Sequence, residues 1–209
     1  MCGIVAYSGK KHFDSDKIKL LMYWNSVERG EDATGIFTPE AGVYKKAKSC
    51  NEFLTANNLN IYLSNQFIGH VRQSTSGNAK IDRNAHPFEF GVITGVHNGT
   101  LKNIWGLLPS YGLASKDYNV DSEALYKLIS DKGPEIIGKI EGAMALVWYN
   151  SDKNVLQVYK NDERTLFRGK IDGNMYISSI QEPLKVIGCT QIKEFKDETL
   201  YSISNGEVI

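Results

Sequence analysis

The chain has 209 residues, 42% hydrophobic and 23% charged, and its 24 basic residues balance 24 acidic ones. This length suits one large domain or two small ones and is enough to bury a sizeable core. The even charge excludes a surface that neutralises nucleic-acid phosphates, and no run approaches the roughly 20 apolar residues that cross a bilayer. The N-terminus also lacks the pattern of a signal peptide. We therefore expect a cytoplasmic globular protein that binds neither nucleic acid nor membrane.

The first third of the chain shows both strand and helix patterns. In chain order, it predicts a buried strand at 3–8, a helix between Asp14 and Gly30, two strands joined by a turn at Pro39–Gly42, and a helix at 50–58. The helix is predicted from apolar residues that share one face and from cap residues at its start. The strands are short and joined by a turn, which favours antiparallel pairing.

The remainder of the chain continues the same mixture. It predicts strands at 66–72, 89–97, 143–149, 154–160 and 174–179, a helix at Asp121–Lys132 capped by Asp121, a short helix at 181–188, and a final strand pair near 192–203. A polar segment between Arg72 and Glu89 is longer than most connections in a compact domain, which predicts a functional loop. The irregular mixture predicts an α+β fold with antiparallel sheets.

The cysteines and histidines give no support for a metal site or a disulfide framework. Cys2, Cys50 and Cys189 are odd in number, far apart and without C-x-x-C spacing. The four histidines also lack H-x-x-x-H spacing. We therefore expect no metal and no organic cofactor.

Cys2 stands directly behind the initiator methionine and before the first apolar strand. Removal of Met1 would leave a thiol and a free α-amino group on one residue. The α-amine titrates near neutral pH and can take the thiol's proton, so nucleophile and base arrive together. A cysteine at this position by chance is the alternative, and Cys2 alone does not decide between them.

Three further stretches carry residues suited to acyl transfer. In VHNGT, Asn98 and the Gly99 N–H could stabilise an oxyanion, although Asn-Gly is also a common hairpin turn. Arg72, at a predicted strand end, could hold a carboxylate or form a surface salt bridge. Asp121 could bind an ammonium group as well as cap its helix. Arg72 and Asp121 together would recognise a free amino acid, and Cys2 with the oxyanion donors would attack its side-chain carbonyl. The amino acid that this combination indicates is glutamine.

With these residues the sequence resembles the glutaminase domain of class II glutamine amidotransferases, members of the N-terminal nucleophile (Ntn) hydrolases. The matching stretches are MCGIVAY, ERGEDATGI, IGHVRQSTSG, NAHPF, VHNGTL, VDSEAL and EGAMALVWY. The second and third are nearest to the amidophosphoribosyltransferase branch, and NAHPF is also similar to glucosamine-6-phosphate synthase. They span most of residues 1–209, which we expect to form a single amidotransferase domain without a synthase domain.

The resemblance implies a four-layer αββα sandwich of two antiparallel sheets and a set of site roles. Cys2 would be the nucleophile, with Asn98 and Gly99 as the oxyanion hole. The implied substrate residues are Arg72 and Thr75 for the glutamine carboxylate and Asp121 for its ammonium. Arg29, His86 and His97 would support the site, and residues 73–82 would form a loop that closes on glutamine.

The predicted reaction is hydrolysis of glutamine to glutamate and ammonia through a Cys2 thioester. Because related chains continue into a synthase domain, we expect a separate synthase or other ammonia acceptor as partner, and a homo-oligomer is compatible with the sequence. One departure is Gln73, where the family usually has an aromatic residue. Two other interpretations remain open: an Ntn-type hydrolase of another γ-glutamyl or small amide, and an inactive glutamine-sensing or scaffold module.

Overall fold

The computed structural model describes residues 1–74 and 77–209, apart from the side chain at position 61. The strands are β1 (Gly3–Ser8), β2 (Ala33–Thr38), β3 (Gly42–Lys46), β4 (Gln66–Arg72), β5 (Phe88–Phe90), β6 (Ile93–Leu101), β7 (Gly142–Asn150), β8 (Val155–Lys160), β9 (Phe167–Ile171), β10 (Asn174–Ser178), β11 (Thr190–Glu194), β12 (Tyr201–Ser204) and β13 (Glu207–Val208). The α-helices are α1 (Ser15–Arg29), α2 (Cys50–Ala56), α3 (Ile104–Leu107), α4 (Asp121–Lys132) and α5 (Glu182–Val186). Across this described part, no helix is long and apolar enough to cross a bilayer.

The strands form two sheets in which neighbouring strands run antiparallel. The seven-stranded sheet has the order β11-β9-β10-β1-β4-β2-β3, and the six-stranded sheet has the order β13-β12-β8-β7-β6-β5. β1 is therefore an inner strand of one sheet, and β6 is an inner strand of the other.

Successive side chains of a strand point to opposite faces of its sheet, which explains how one strand contributes to two hydrophobic cores. In β1, Ile4 and Ala6 face the core between the two sheets, while Val5 and Tyr7 face the core beneath α1. A strand that is buried on both faces must be apolar throughout, as GIVAY is. Each fully buried large apolar side chain contributes about 1.5–3 kcal/mol relative to an exposed one.

Helices cover the outer face of each sheet. The apolar face of α1, which includes Leu21 and Met22, packs on the seven-stranded sheet. On the other side, Leu125 and Leu128 of α4 pack on the six-stranded sheet. The result is helix, sheet, sheet, helix, which confirms the predicted α+β fold and the αββα sandwich.

The antiparallel pairing of β1 with β4 determines where the candidate nucleophile lies. Gly3 of β1 is paired with Val71 of β4, so the residue before β1 lies beside the residues that end β4. Cys2 and Arg72 are therefore neighbours, although 70 positions separate them in the sequence. The start of β1 also faces β6 across the space between the sheets.

Several local predictions were wrong in detail. The strand predicted at 89–97 is two strands, β5 and β6, joined by a turn at 91–92. The final strand pair predicted near 192–203 is not a pair, because β11 joins the seven-stranded sheet and β12 the six-stranded sheet. Asp121 does not cap α4: Val120 is the cap residue, and Asp121 is the first residue of the helix.

We expect the core beneath α4 to be a main contributor to stability. Substitution Leu125→Ala removes a fully buried side chain and should lower the free energy of unfolding by about 2–5 kcal/mol. Lys127→Ala, which removes a partly exposed side chain that pairs with Asp131 on the same helix, should change it by only about 0.5 kcal/mol. Urea unfolding followed by circular dichroism measures both, and equal effects would contradict this assignment of the core.

Candidate active site

Cys2 is held at the junction of the two sheets by two hydrogen bonds. Its backbone nitrogen donates to Oδ1 of Asn98 over 3.1 Å, and its thiol donates to the carbonyl oxygen of Gln73 over 3.5 Å. Burial raises the pKa of the Cys2 thiol above that of an ordinary thiol. In this state the sulfur is protonated at neutral pH and requires a base before it can act as a nucleophile.

A small cavity opens beside Cys2. Its walls come from the start of β1, the end of β4, β6, the start of α4 and the segment before β5. The lining residues are Cys2, Arg72, Gln73, His86, His97, Gly99, Val120, Asp121 and Ser122. The structure thus brings most of the residues predicted from the sequence around one space.

Asn98 and Gly99 lie near the end of β6, next to Cys2. Asn98 is 1% exposed, and its Nδ2 has no hydrogen-bond partner among the described residues. A buried amide donor without a partner is costly, which points to an acceptor that binds there. Gly99 is required sterically, because a Cβ at this position would collide with the carbonyl group of Ala143.

Two opposite charges line the same cavity. Arg72 ends β4 and is 4% exposed. Asp121 is held by backbone donors: Leu101 N–H to Oδ2 at 3.0 Å and Ser122 N–H to Oδ1 at 2.8 Å. Oδ1 also accepts from the Ser122 hydroxyl at 3.2 Å, so Oδ2 is the carboxylate oxygen that keeps a further lone pair for a ligand. The predicted ligand residue Thr75 lies outside the described residues.

Arg29, predicted as a supporting residue, lies beside the N-terminus. Its guanidinium donates to Thr165 Oγ1 at 3.2 Å and to the carbonyl oxygen of Ser179 at 3.5 Å. Ser179 in turn exchanges two hydrogen bonds with Ile4 of β1, of 2.9 and 3.0 Å. Arg29 therefore braces the strand that carries Cys2 through Ser179.

The histidines of this region are buried and uncharged. His97 contacts Ser122 Oγ at 2.9 Å and the carbonyl oxygen of Ala143 at 3.3 Å, which ties β6 to α4 and β7. The His86 ring packs against that of His70 at a tilt of 32°, with 4.0 Å between ring centroids. Burial lowers the pKa of all three imidazoles, that of His70 to about 3. This favours supporting roles over proton transfer.

Sequence reasoning missed Asp32, which fixes the segment that follows β4. Its Oδ2 accepts the Ser74 N–H at 2.7 Å and the Gln73 side-chain amide at 3.4 Å. These contacts hold the Gln73 carbonyl against the thiol of Cys2. The sequence signal that points to Asp32 is its place in ERGEDATGI, one of the stretches that resemble the family. Among the described residues, no group of His, Cys, Asp and Glu is placed to hold a metal ion.

Comparison with known proteins yields relatives at both the sequence and the structure level, although no protein-family model matches the chain. It is 30% identical to the glutamine–fructose-6-phosphate aminotransferase of Clostridium acetobutylicum, over 86% of this chain and 32% of that protein. It is 27% identical to the amidophosphoribosyltransferase of Methanocaldococcus jannaschii, over 100% of this chain and 48% of that protein. The chain thus spans between a third and a half of these relatives.

Among solved structures, the glutamine phosphoribosylpyrophosphate amidotransferase of B. subtilis superimposes with a TM-score of 0.77. That match covers 100% of this chain and 48% of the other at 20% identity, so it concerns the fold. The two sheets and their helices therefore form an Ntn-hydrolase fold. With the sequence relatives, this identifies the chain as a glutamine amidotransferase domain of class II.

We expect the raised thiol pKa to be measurable in protein that retains Met1. The rate of Cys2 alkylation by iodoacetamide should keep rising above about pH 8.5, the ordinary pKa of a thiol, because burial disfavours the thiolate. Peptide mapping separates Cys2 from Cys189, whose pKa burial raises to about 12. A Cys2 rate that reaches its plateau below about pH 8 would contradict this environment.

Proposed function

We propose that this domain hydrolyses glutamine to glutamate and ammonia, with Cys2 as the nucleophile. The observation that carries the proposal is the convergence of the Cys2 thiol, Arg72, Gly99 and Asp121 on one cavity. A cation, an anion and a thiol around one space suit a free amino acid whose side chain reaches the thiol. Asn98, bonded to Cys2, adds an unpartnered amide donor.

Substrate recognition uses the two charges. The Arg72 guanidinium binds the α-carboxylate of glutamine by paired hydrogen bonds, and Asp121 binds the α-ammonium. Both protein groups are largely buried, so their attraction for these groups is screened weakly by water. Thr75 is a further predicted carboxylate ligand.

The reaction begins once Met1 has been removed. The α-amine of Cys2 takes the thiol's proton, and the sulfur attacks the side-chain amide carbon of glutamine. The Asn98 Nδ2–H and the Gly99 N–H bind the oxyanion as the C–S bond forms. The tetrahedral intermediate then expels ammonia, protonated by the α-ammonium, and leaves a thioester.

Hydrolysis of the thioester completes the cycle. The α-amine deprotonates a water molecule, which attacks the thioester carbon, and the C–S bond breaks with return of a proton to sulfur. Glutamate leaves, and the amine and thiol are restored. Each step uses groups of the chain and water.

We also propose that the ammonia passes to an acceptor domain or protein instead of being lost. The support is that the aligned relatives are named as an aminotransferase and a phosphoribosyltransferase, and that the matched region is only part of each. In this proposal, residues 1–209 act as the glutaminase domain of such a system. Glutamine labelled with a nitrogen isotope at its side-chain amide tests it, using the protein purified with its bound partners. Label in an organic product supports transfer, and label found wholly as ammonium contradicts it.

The glutaminase proposal predicts a sharp difference between the cysteines. Cys2→Ala should reduce glutamine hydrolysis by at least ~1000-fold, because the covalent step is lost. Cys189→Ala, which changes a half-buried thiol away from the cavity, should leave the rate within about 2-fold. A diazoketone analogue of glutamine should label Cys2 alone in peptide mapping. Label on Cys50 or Cys189 instead would contradict the mechanism.

Asn98→Ala tests the oxyanion hole separately. It should lower kcat by about 10²–10³-fold with a smaller change in KM, since the lost donor acts mainly in the transition state. Steady-state kinetics with a coupled glutamate assay give both values. A variant that raises KM alone would show that Asn98 acts only in substrate binding.

A further inference from the structure

Lys45, on the edge strand β3, donates three hydrogen bonds from its ammonium group to a single turn of the chain. Its Nζ donates to the carbonyl oxygens of Arg83 at 3.2 Å, Ala85 at 2.7 Å and Pro87 at 2.9 Å. It also lies 4.4 Å from the centroid of the Phe88 ring. Three convergent carbonyls and an aromatic face are the environment of a bound cation, supplied here by a side chain. Burial lowers the pKa of Lys45 to about 8, so the ammonium is charged at neutral pH.

The same turn carries His86 to the cavity. The His86 imidazole is 4% exposed, and neither ring nitrogen has a hydrogen-bond partner among the described residues. The ring forms part of the cavity wall that also includes Cys2 and Asp121. A buried polar side chain that is unpaired and lines a ligand cavity points to contact with the ligand.

The turn can approach the cavity because one residue of β2, Gly35, has no side chain. A Cβ at Gly35 would collide with the carbonyl group of His86, so the turn rests directly on the β2 backbone. On its other side, Arg83 forms a salt bridge of 3.0 Å with Glu123 of α4. α4 begins with Asp121, the proposed ammonium ligand. The turn is therefore held between β2, β3 and the helix of the substrate site.

We propose that Lys45 is a positioning residue of the glutaminase site, acting through the turn at residues 83–87. Its ammonium gathers the three carbonyls and thereby sets His86 against the cavity, where a neutral imidazole can exchange a hydrogen bond with the charged end of glutamine. This inference rests on the proposed glutaminase function. Lys45 does not itself line the cavity, and its effect is on substrate binding.

The test compares Lys45→Met with Lys46→Met. Met keeps most of the alkyl stem but has no donor. Lys46, the next residue along β3, forms a surface pair of 2.9 Å with Asp82, which lies just before the turn. Lys45→Met should raise the KM for glutamine about 10-fold or more, since small misplacements of positioning groups are costly. Its kcat should change much less, and Lys46→Met should resemble wild type.

A second measurement does not depend on activity. Diethyl pyrocarbonate modifies accessible histidines, and peptide mapping resolves each site. In wild type, exposed His12 should react while buried His70, His86 and His97 stay protected. In Lys45→Met, His86 should become reactive, with His70 and His97 still protected. If wild type does not hydrolyse glutamine, the proposed function fails, but this measurement still tests what Lys45 holds in place.

Chemical rescue distinguishes positioning from general stability. With Lys45→Ala, added propylammonium should lower the KM toward the wild-type value, because the free cation can occupy the same three carbonyls. If that variant does not fold, Lys45→Gln, which retains an amide donor, should give an intermediate KM. Equal KM values for the Lys45 and Lys46 variants with His86 protected would overturn the proposal. So would joint exposure of His70, His86 and His97, which indicates collapse of the domain.

Discussion

The hydrogen bond from the backbone nitrogen of Cys2 to Asn98 Oδ1 connects the two sheets at the point where the chemistry is proposed to occur. β1 belongs to the seven-stranded sheet and Asn98 to the six-stranded one. A chain terminus otherwise frays, yet here it is fixed by an apolar strand behind it and an amide in front. The Nδ2 of the same Asn98 side chain is buried and has no hydrogen-bond partner in the described part of the chain. In the proposed mechanism, Asn98 therefore both holds Cys2 in place and supplies an oxyanion donor.

The electrostatics of the cavity follow from this burial. A buried thiol does not ionise readily, and the buried histidines are neutral and do not provide a charged neighbour that would help it. We propose that the α-amine created by removal of Met1 serves as the base for this thiol. Arg72 and Asp121 give the cavity one charge of each sign, which matches an amino acid zwitterion and leaves the thiol to meet its uncharged side chain. The neutral imidazoles are compatible with this arrangement of charges, because they add hydrogen-bonding groups without adding a net charge.

Much of the fold and most of the site residues could be predicted from the sequence because their signals are local. β1 is uniformly apolar, α1 has a cap and an apolar face, and the turn at Pro39–Gly42 is explicit. The candidate site residues lie at or near the ends of strands and helices, within short stretches that resemble a known family. The hairpin β5–β6 was missed because Gly91 was placed inside one strand.

The contacts that were not predicted depend on long-range packing. Which sheet β11 and β12 join is decided by their neighbours and not by their own pattern. The position of the Asp121 carboxylate depends on a hydrogen bond from the backbone of Leu101, which lies 20 positions earlier. Likewise Asp32 and Lys45 look like ordinary surface charges until the partners at Ser74 and at the turn before β5 are known.

The central claim is that the sulfur of Cys2 is activated by its own α-amine, and the amine's release tests it most directly. Protein carrying an uncleaved N-terminal peptide is compared with the same protein after a site-specific protease has made Cys2 the first residue, with intact mass verifying each form. Glutamine hydrolysis should appear only after cleavage. Equal turnover by the uncleaved form, with its Cys2 nitrogen still in a peptide bond, would contradict it.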